Sequence, residues 1–376
     1  MKNCSGIILS PGNNEDFGTL VKTRPDYMIP FGARYRIIDF CLSNMANFNV
    51  SHVMLYAGSN IRSTIDHISD GSDWELNRRS NGLLINPRVE NSQTGKHSDV
   101  ETFFGSLPFY ENMAHENLYI ENPMAISKVN LQEAYNTFTE GDYDILILYS
   151  EENDKDGRYN GMNKLILDEN GRLINIGYNL GTNPKIELQI GRYFIKNKVF
   201  IDLVKDAMEK GNANNLIQAV LNNKTRLKIG TYKVESKLFY IHDIDSYYHA
   251  NMALLDAESY REVFHKNGMV YTKSKDEPST LYTETAKMSN SLVANGCIIE
   301  GEVENSVLFR GVHIHKNAII RNCIINQGTE IEENAVCVNT ITDKNALVGS
   351  GVTVAGSANN PYMIGKDQVI TNPGLV

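Results

Sequence analysis

The segment Ser291-Leu-Val-Ala-Asn-Gly-Cys-Ile-Ile-Glu-Gly301 contains the pattern that decides the fold of the last part of the chain. Two of its apolar residues, Val293 and Ile299, lie six positions apart. The same spacing recurs further along, in Leu308, Ile314 and Ile320, in Ile325, Ile331 and Cys337, and in Val348 and Val354. A six-residue apolar period is typical of a hexapeptide β-helix. We therefore predict a β-helix over residues 286–376, with a β-sandwich of short strands as the alternative.

Residues that favour turns occupy the positions between the apolar ones, as the corners of such coils require. They are Gly296, Gly301, Gly311, Asn317, Gly328, Asn334 and Gly351. Where the six-residue period slips, we expect a coil that carries an insertion.

Before this repeat, from Gly6 to about Leu255, short apolar runs alternate with helical patterns. The predicted strands are Gly6–Leu9, Val53–Tyr56, Asn117–Ile120, Asp144–Tyr149 and Gln189–Phe194, and a helix is predicted over Ser246–Ala257. Strands that alternate with helices indicate an α/β domain with an open, mostly parallel, Rossmann-like sheet and ligands at the carboxyl ends of its strands. We predict domains over residues 1–259 and 286–376, joined by a linker over 260–285.

Composition and charge exclude several classes of function. The formal net charge of −9 argues against nucleic acid as a partner, so a bound anion would need a local basic pocket. The five cysteines form no CxxC pair and no zinc-binding spacing, which indicates reduced core thiols. We expect no membrane span and no signal peptide, because no apolar stretch is about 18 residues long and Met1–Ser10 has one lysine and only a short apolar run. We expect a cytoplasmic protein.

Three stretches resemble the bacterial ADP-glucose pyrophosphorylase (glucose-1-phosphate adenylyltransferase) family. Pro30–Asn44 matches the family's pattern around YRIIDFxLSN, Ile244–Met252 matches its IDSYWxANM helix, and Ser291–Val312 matches the opening coils of its β-helix. The resemblance implies a nucleotidyltransferase domain followed by a left-handed parallel β-helix. It also implies adenylyl transfer from ATP to glucose 1-phosphate for glycogen or starch synthesis. That chemistry depends on positioning, on cationic side chains and on Mg²⁺ held by carboxylates.

The family's phosphate-binding residues are replaced in this chain. Active members carry GGxGTRL after the first strand, where this chain has Ser10-Pro-Gly-Asn-Asn-Glu-Asp-Phe-Gly-Thr-Leu20. Pro11 removes an N–H donor, and Glu15 and Asp16 add negative charge where phosphates would bind. The family's phosphate-contacting lysine aligns with Asp26, so that a carboxylate would face the triphosphate. The glutamine that contacts adenine aligns with Tyr56.

The family's metal ligands are replaced as well. One metal-binding aspartate aligns with Pro123 or Met124, the second aligns with Tyr240, and the lysine for the sugar phosphate aligns with Asn179. None of these side chains is a carboxylate or a cation, so we predict no catalytic residues, no bound metal and no cofactor. The chain thus resembles the silent, GlgD-type subunits of the family.

The resemblance then implies a regulatory role. We expect a heterotetramer with a catalytic GlgC-type subunit, a homo-oligomer being possible, and an anionic effector such as a sugar phosphate or inorganic phosphate. The candidate effector-binding residues are Lys22, Arg24, Arg36 and Arg310, with solvated or ion-paired surface residues as the alternative.

Two other functions stay open on the sequence. One is an active sugar nucleotidyltransferase that binds Mg²⁺ through displaced ligands, for which Glu121, Asp243 and Asp245 are the acidic candidates. The other is a hexapeptide acyltransferase with a histidine in the β-helix. His313 and His315 flank the apolar Ile314, so we expect them to point outward as surface histidines.

Overall fold

The structure is a computed structural model that describes residues 3–10, 12, 15–58, 60–78, 82–89 and 98–371. The described residues divide into two compact units. Unit 1 consists of the described residues within Met1–Gly12, Cys41–Gly58 and Asp70–Leu238. Unit 2 consists of the described residues within Asn13–Phe40, Ser59–Ser69 and Phe239–Val376. The units therefore do not follow the predicted linear division at residues 259 and 286, because two early segments belong with the C-terminal part.

The strands before the β-helix confirm the predicted alternation. In chain order they are β1 (Cys4–Leu9), β2 (Pro30–Phe31), β3 (Tyr35–Arg36), β4 (Val53–Ala57), β5 (Leu83–Pro87), β6 (Asn117–Glu121), β7 (Ala125–Ile126), β8 (Ile145–Asn153), β9 (Asn163–Leu167), β10 (Leu173–Tyr178), β11 (Lys185–Lys196), β12 (Ile229–Lys233) and β13 (Phe239–Tyr240).

Unit 1 is built on one mixed sheet. Strands β6, β1, β4 and β5 are neighbours in that order and run parallel. The long strand β11 runs antiparallel to β6, β8 and β9, while β12 pairs with β8 in parallel. The parallel part brings the carboxyl ends of β1, β4 and β6 to one edge of the sheet, which is where open α/β sheets bind ligands.

The structure describes nine α-helices, several of which begin at a residue whose side chain caps the first turn. They are α1 (Ile37–Asn47), α2 (Arg62–Ile68), α3 (Asp99–Gly105), α4 (Leu107–Glu111), α5 (Leu131–Glu140), α6 (Asn197–Lys210), α7 (Leu216–Asn222), α8 (Ile244–Ala253) and α9 (Ala257–Phe264). Ser98, Asn130 and Asn215 accept from backbone N–H groups in the first turns of α3, α5 and α7. Gly211, at φ 60°, ends α6 in the left-handed conformation that glycine adopts without strain.

A buried apolar layer joins one face of the sheet to the helices of unit 1. Ile7, Met54 and Ile120 from the parallel strands lie in the same cluster as Phe103 of α3 and Phe200 of α6. Burial of such side chains contributes about 1.5–3 kcal/mol each, which makes this layer the main source of stability for unit 1.

In unit 2, the segment Pro30–Phe40 forms a hairpin and the first turn of α1. Gly32 and Ala33 join β2 to β3 with φ angles of 61° and 68°. A Cβ added to Gly32 would lie 2.9 Å from the ring of Phe264, so the position needs glycine for space as well as for its backbone conformation. The carboxylate of Asp39 accepts from the N–H of Arg36 and lies 2.6 Å from Nε2 of His67.

The β-helix consists of three parallel sheets of short strands. The first sheet has Leu281–Tyr282, Ile298–Ile299, His313–Ile314, Glu330–Ile331, Leu347–Val348 and Val369–Ile370. The second has Lys287–Ser289, Glu302–Glu304, Ile319–Arg321, Val336–Val338 and Thr353–Ala355, and the third has Leu292–Val293, Val307–Leu308, Ile324–Ile325, Thr340–Thr342 and Tyr362–Ile364. These stacked sheets fit the predicted left-handed β-helix. The first strand lies inside the segment predicted as a linker, as does the end of α9.

The coils explain the slips in the six-residue period. In the first sheet, Ile298, His313, Glu330, Leu347 and Val369 occupy the same position in successive coils. These residues are 15, 17, 17 and 22 positions apart in the sequence, so the length of a coil varies. The longest coil contains the Ser357–Asn360 bridge, which is the expected insertion. The predicted apolar positions stack inside as one core, with Ile299, Ile314, Ile331 and Val348 fully buried.

One corner of the β-helix is built from asparagines that the sequence pattern did not single out. Asn290, Asn305, Asn322 and Asn339 have φ angles of 38°, 51°, 51° and 46°. The amide of Asn290 donates to Asn305, and Nδ2 of Asn305 donates to Oδ1 of Asn322 at 2.9 Å. Asparagine tolerates this left-handed conformation better than most residues, and its amide links one coil to the next.

Among the residues that the structure describes, no helix is long and apolar enough to cross a membrane.

The asparagine corner predicts a specific loss of stability. Asn322→Ala should lower the free energy of unfolding by about 1–2 kcal/mol, because alanine is strained at this φ and the hydrogen bond from Asn305 is lost. Asn322→Gly is the matched control, since it removes the hydrogen bond and keeps the backbone unstrained. Urea unfolding should rank the wild type above the glycine variant and the glycine variant above alanine. Equal stability of the two variants would contradict the backbone argument.

Candidate functional site

The residue that follows β1, Ser10, is contacted by an arginine side chain of unit 1. Arg88, next to β5, donates to the carbonyl oxygen of Ser10, and its Nη2 lies 2.8 Å from Oδ1 of Asp99 at the start of α3. Burial raises the pKa of Asp99, and Arg88 opposes that rise. This guanidinium is therefore engaged within unit 1. Pro11 lies outside the described residues, and Glu15 and Asp16 are exposed at the start of a 3-10 helix, Glu15–Val21.

At the carboxyl end of β6, a buried ion pair holds the nearest acidic side chain. Glu121 is fully buried, and its Oε1 lies 2.7 Å from Nη2 of Arg192 on β11. The same guanidinium donates to Oγ of Ser127 at 2.6 Å and to the carbonyl of Ala125. Burial raises the pKa of Glu121, and the positive charge of Arg192 opposes that rise. Burial also lowers the pKa of Lys128 to about 8, against the opposing effect of Glu121.

Two of the replaced positions in unit 1 belong to the core. Tyr56, on β4, is fully buried, and its hydroxyl lies 2.6 Å from that of Tyr110. Burial raises its pKa, so the phenol stays neutral. Met124 is buried in the turn between β6 and β7, where its N–H donates to Oδ1 of Asn122 at 3.0 Å. Both side chains are thus almost inaccessible to solvent.

Asn179, the third replaced position in unit 1, orders a loop. It is fully buried, and its Nδ2 donates to Oδ2 of Asp154 at 2.6 Å and to the carbonyl of Tyr159 at 3.1 Å. Its Oδ1 accepts from the N–H of Gly181. An amide can make these donor and acceptor contacts together, which a lysine cannot do.

The two replaced positions in unit 2 are also engaged. Asp26 is buried at the start of a 3-10 helix, Asp26–Met28, and its carboxylate accepts from the N–H of Tyr27 at 2.7 Å. Asp26 is thus buried and hydrogen-bonded, and its alignment with the family's phosphate-contacting lysine stays a prediction. Tyr240 is half-buried on β13, and its carbonyl lies 3.3 Å from Nδ1 of His242.

The remaining acidic candidates each have a partner. Asp243 caps α8, where its Oδ1 accepts from the N–H of Ser246 at 2.8 Å in a capping box. Asp245 lies 3.3 Å from Nε2 of His249 one helical turn later. Glu121 is paired with Arg192. Each of the three candidate ligands of a displaced metal site therefore already contacts a residue of its own unit.

Unit 2 contains a strongly basic cavity of about 630 Å³, which we call the basic cavity. Its cationic lining consists of Arg24, Arg36, Arg62, Lys273, Lys275, Lys344 and Lys366. Among the described residues that line it, Asp66 is the one acidic side chain. Seven cations against one carboxylate, in a chain of net charge −9, make this cavity a concentrated site of positive potential.

Burial and mutual repulsion lower the pKa values of several positive side chains of the basic cavity. Burial, together with the charges of Arg36 and Arg24, lowers the pKa of Lys344 to about 7. Burial and Arg24 lower the pKa of Arg36 to about 10, and burial and Arg310 lower that of Lys275. A bound anion would relieve this repulsion, so proton uptake and anion binding should be coupled at Lys344.

The structure brings together three of the four candidate effector residues. Arg24 and Arg36 line the basic cavity, while Arg36 and Arg310 line a smaller adjoining one. Arg24 also pairs with Asp343 at 2.9 Å, and Arg310 lies 3.4 Å from Glu277. Lys22 is exposed and is absent from the described linings of both cavities.

Sequence reasoning missed most of the cationic lining. Arg62 lies at the start of α2, Lys273 and Lys275 lie in the segment predicted as a linker, and Lys344 and Lys366 lie at corners of the β-helix. The available signal was the pair of lysines at 273 and 275, a local positive charge in an acidic chain.

Comparison with known proteins agrees with this fold. The family described as nucleotidyl transferase matches residues 5–257, and the family described as GlmU-like, C-terminal hexapeptide matches residues 279–361. The chain is similar to the glycogen biosynthesis protein GlgD of Bacillus subtilis (strain 168), with 32% identity over 91% of this chain and 89% of the relative. The GlgD protein of Geobacillus stearothermophilus is 28% identical over 84% of this chain and 82% of its own length.

Enzymes of the same group are similar over a comparable length. The glucose-1-phosphate adenylyltransferase of Clostridium perfringens (strain 13 / Type A) is 28% identical over 100% of this chain and 98% of its own length. The first family match covers more than half of the chain, and the first GlgD relative exceeds 30% identity. The chain therefore belongs to the nucleotidyl transferase family and, within it, to the GlgD-type members of the glucose-1-phosphate adenylyltransferase group.

Proposed function

We propose that this chain is a non-catalytic, regulatory subunit in glycogen biosynthesis that pairs with a catalytic GlgC-type subunit and modulates its activity. The names of its relatives support the pathway. The observation that carries the silent-subunit proposal is the Glu121–Arg192 pair at the carboxyl end of β6. This pair engages Glu121, the acidic residue nearest in sequence to Met124, with which the family's metal-binding aspartate aligns.

Adenylyl transfer would need groups that this arrangement does not supply. A divalent metal neutralises the developing charge on the phosphates, and Mg²⁺ needs oxygen ligands, commonly from carboxylates. At the replaced positions, Met124 offers a thioether and Tyr240 a phenol, while Glu121 would have to leave a buried guanidinium. We therefore propose that the positions of the adenylyl-transfer site in this chain hold no catalytic metal and no cofactor.

The basic cavity supports an anionic effector. Arginine and lysine side chains bind phosphate oxygens through charge-assisted hydrogen bonds, and seven such side chains line one cavity. A sugar phosphate or inorganic phosphate matches this chemistry. Coupling to the catalytic partner would make the effect allosteric, because the effector would then bind two assembly states with different affinities.

The alternative is a weakly active sugar-1-phosphate nucleotidyltransferase with displaced ligands and Mg²⁺. It requires Glu121, Asp243 or Asp245 to exchange its present partner for the metal. Removal of Asp243 from its capping role alone would destabilise α8 by about 0.5–2 kcal/mol. A heterotetramer is the expected assembly for the regulatory role, with a homo-oligomer as the second possibility.

The first test of the silent-subunit proposal is catalysis by the chain alone. We expect no pyrophosphate release from ATP and glucose 1-phosphate with Mg²⁺, at a sensitivity of about 10³-fold below the catalytic subunit, because loss of one charge-stabilising group costs about 10²–10³ in rate. The catalytic GlgC-type subunit assayed in parallel is the positive control. Robust Mg²⁺-dependent turnover by the isolated chain would favour the alternative.

The second test is assembly with that catalytic subunit. Co-expression should yield a complex that co-purifies, and the complex should differ from the catalytic subunit alone in rate or in response to phosphate and sugar phosphates. If the two chains do not associate, or if they associate without any kinetic change, the regulatory proposal is wrong.

The third test concerns anion binding in the basic cavity. Lys344→Gln and Lys275→Gln should each weaken sulfate binding by about tenfold or more, since a hydrogen bond to a charged group contributes about 1.5–3 kcal/mol. Lys22→Gln is the matched control, because Lys22 is exposed and lies outside the cavity lining. Isothermal titration calorimetry measures the affinities, and equal losses in all three variants would contradict the assignment.

The pH dependence of the same binding follows from Lys344. Its pKa of about 7 in the free protein should rise when an anion binds, so the lysine takes up a proton on binding above that pH. Sulfate affinity should therefore be high below about pH 7 and should fall towards about pH 9, by at most tenfold per pH unit. The Lys344→Gln variant should lose this slope. A wild-type affinity independent of pH would contradict the coupling.

A further inference from the structure

Two histidines and a glutamate lie together on the outside of neighbouring coils of the β-helix. In the first sheet, Ile298 lies beside His313, and Ile299 lies beside Ile314. Ile299 and Ile314 are fully buried in the core. Since side chains alternate along a strand, Glu300, His313 and His315 point away from that core. The sequence predicted this outward direction for the two histidines.

The donor atoms of these three side chains converge. Oε2 of Glu300 lies 3.2 Å from Nε2 of His313 and 3.8 Å from Nδ1 of His315. One nitrogen or oxygen atom from each residue lies within 4.8 Å of the other two. The two imidazole rings are stacked, with centroids 3.8 Å apart and planes at 24°. The three donor atoms thus lie together on a partly exposed surface, and rotation of the stacked rings about their side-chain torsions would turn both nitrogens towards one ion.

A fourth side chain orients one of the ligands. Oε1 of Glu330, on the next coil, lies 2.7 Å from Nε2 of His315. A carboxylate at this nitrogen favours the tautomer with the proton on Nε2, which leaves the lone pair of Nδ1 directed towards Glu300. A carboxylate that holds the far nitrogen of a histidine is a recurrent feature of metal sites, because it fixes the ring and increases its basicity.

We propose that Glu300, His313 and His315 bind a divalent transition-metal ion, Zn²⁺ being the best match, with Glu330 as the orienting carboxylate. Ligand atoms about 2.0–2.2 Å from a tetrahedral Zn²⁺ lie about 3.3–3.6 Å from one another, which is close to the separations between Glu300 and the two rings. Imidazole with carboxylate selects zinc, nickel or copper over magnesium or calcium. Three protein ligands leave a fourth position for water or for an external group.

The local charge also favours a cation. Glu332 lies on the same coil as Glu330, and its Oε2 accepts from the N–H of Ser350 at 2.8 Å. The carboxylates of Glu300 and Glu330 also contact the two rings, so a metal ion bound here would lie among negative charges. A bound ion would connect the coil of Glu300 to the coil of the two histidines and would stabilise the folded β-helix.

The competing explanation is a network of histidine–glutamate pairs without a metal. Such a network explains the contacts at 3.2 Å and 2.7 Å, but it predicts no measurable affinity for Zn²⁺. The test therefore decides between an ion and a network of hydrogen bonds.

The experiment uses the full chain, prepared without a polyhistidine tag and treated with a chelator. Titration calorimetry with Zn²⁺ should show one tight site per chain, and Co²⁺ should give the visible absorption of an inner-sphere nitrogen–oxygen complex. His313→Gln and His315→Gln should each weaken Zn²⁺ binding by at least about 100-fold, since even the loss of an orienting partner costs about 10–100-fold. Glu330→Gln should weaken Zn²⁺ binding by about 10–100-fold, because it removes only the orienting carboxylate.

The matched control is His249→Gln. His249 is also partly exposed and also faces a carboxylate, that of Asp245, yet it belongs to no group of three potential ligands among the described residues. This variant should bind Zn²⁺ like the wild type. Zn²⁺ should also raise the melting temperature of the wild type and of His249→Gln, but not that of His313→Gln.

Two results would overturn the proposal. One is a wild-type chain that shows no heat of Zn²⁺ binding and no Co²⁺ absorption. The other is a tight site that persists unchanged in His313→Gln and His315→Gln, which would place the ion elsewhere. Circular dichroism of each variant checks that the β-helix is intact, so a loss of binding reports on the ligands.

Discussion

A charge that is buried away from water needs an opposite charge beside it. In unit 1, the buried carboxylate of Glu121 meets this requirement through its ion pair with Arg192. An unpaired carboxylate in a dry interior costs several kcal/mol, and removal of one partner of a buried pair typically destabilises a protein by about 3–5 kcal/mol. Glu121 and Arg192 are both inaccessible, and the guanidinium also donates to Ser127 and to the carbonyl of Ala125. The carboxyl end of β6 is thus closed by internal contacts. These contacts lie at the edge of the sheet at which an α/β domain usually binds its ligand, which is why we propose that this chain is catalytically silent.

Unit 2 shows the opposite electrostatic arrangement. Its basic cavity gathers seven cations around one acidic side chain, and burial and mutual repulsion lower the pKa of Lys344 and Arg36. Arg24 has a buried partner in Asp343, which keeps that side chain in place, whereas Lys344 loses much of its charge near neutral pH. Positive charge held together in this way favours an anionic ligand. This concentration of charge is the reason why we propose the effector site in unit 2.

Much of the fold and part of the site could be predicted from the sequence, and the reasons differ. The six-residue period identified the core of the β-helix, because each coil repeats the same contact between Ile299, Ile314 and Ile331. The asparagine corner escaped notice, because Asn305 and Asn322 are separated by a whole coil and their amides meet only after the coils stack. Arg24 and Arg36 were identified as effector candidates through a resemblance. Lys22 was included for the same reason, although its side chain lies outside the cavity.

The sequence was enough to predict the six-residue repeat, the alternation of strands and helices, and the replacement of the family's ligands. Hydrophobic periodicity and residue type are properties of single positions and their near neighbours. The contacts made at those positions became visible only in the folded structure. It buried Tyr56 and Asn179 among fixed partners, assembled the basic cavity from residues as far apart as Arg24 and Lys366, and brought Glu300 to His313 and His315. Electrostatic sites depend on distances in space and on access to water. Both are set when the chain closes on itself, and no local pattern of residues encodes them.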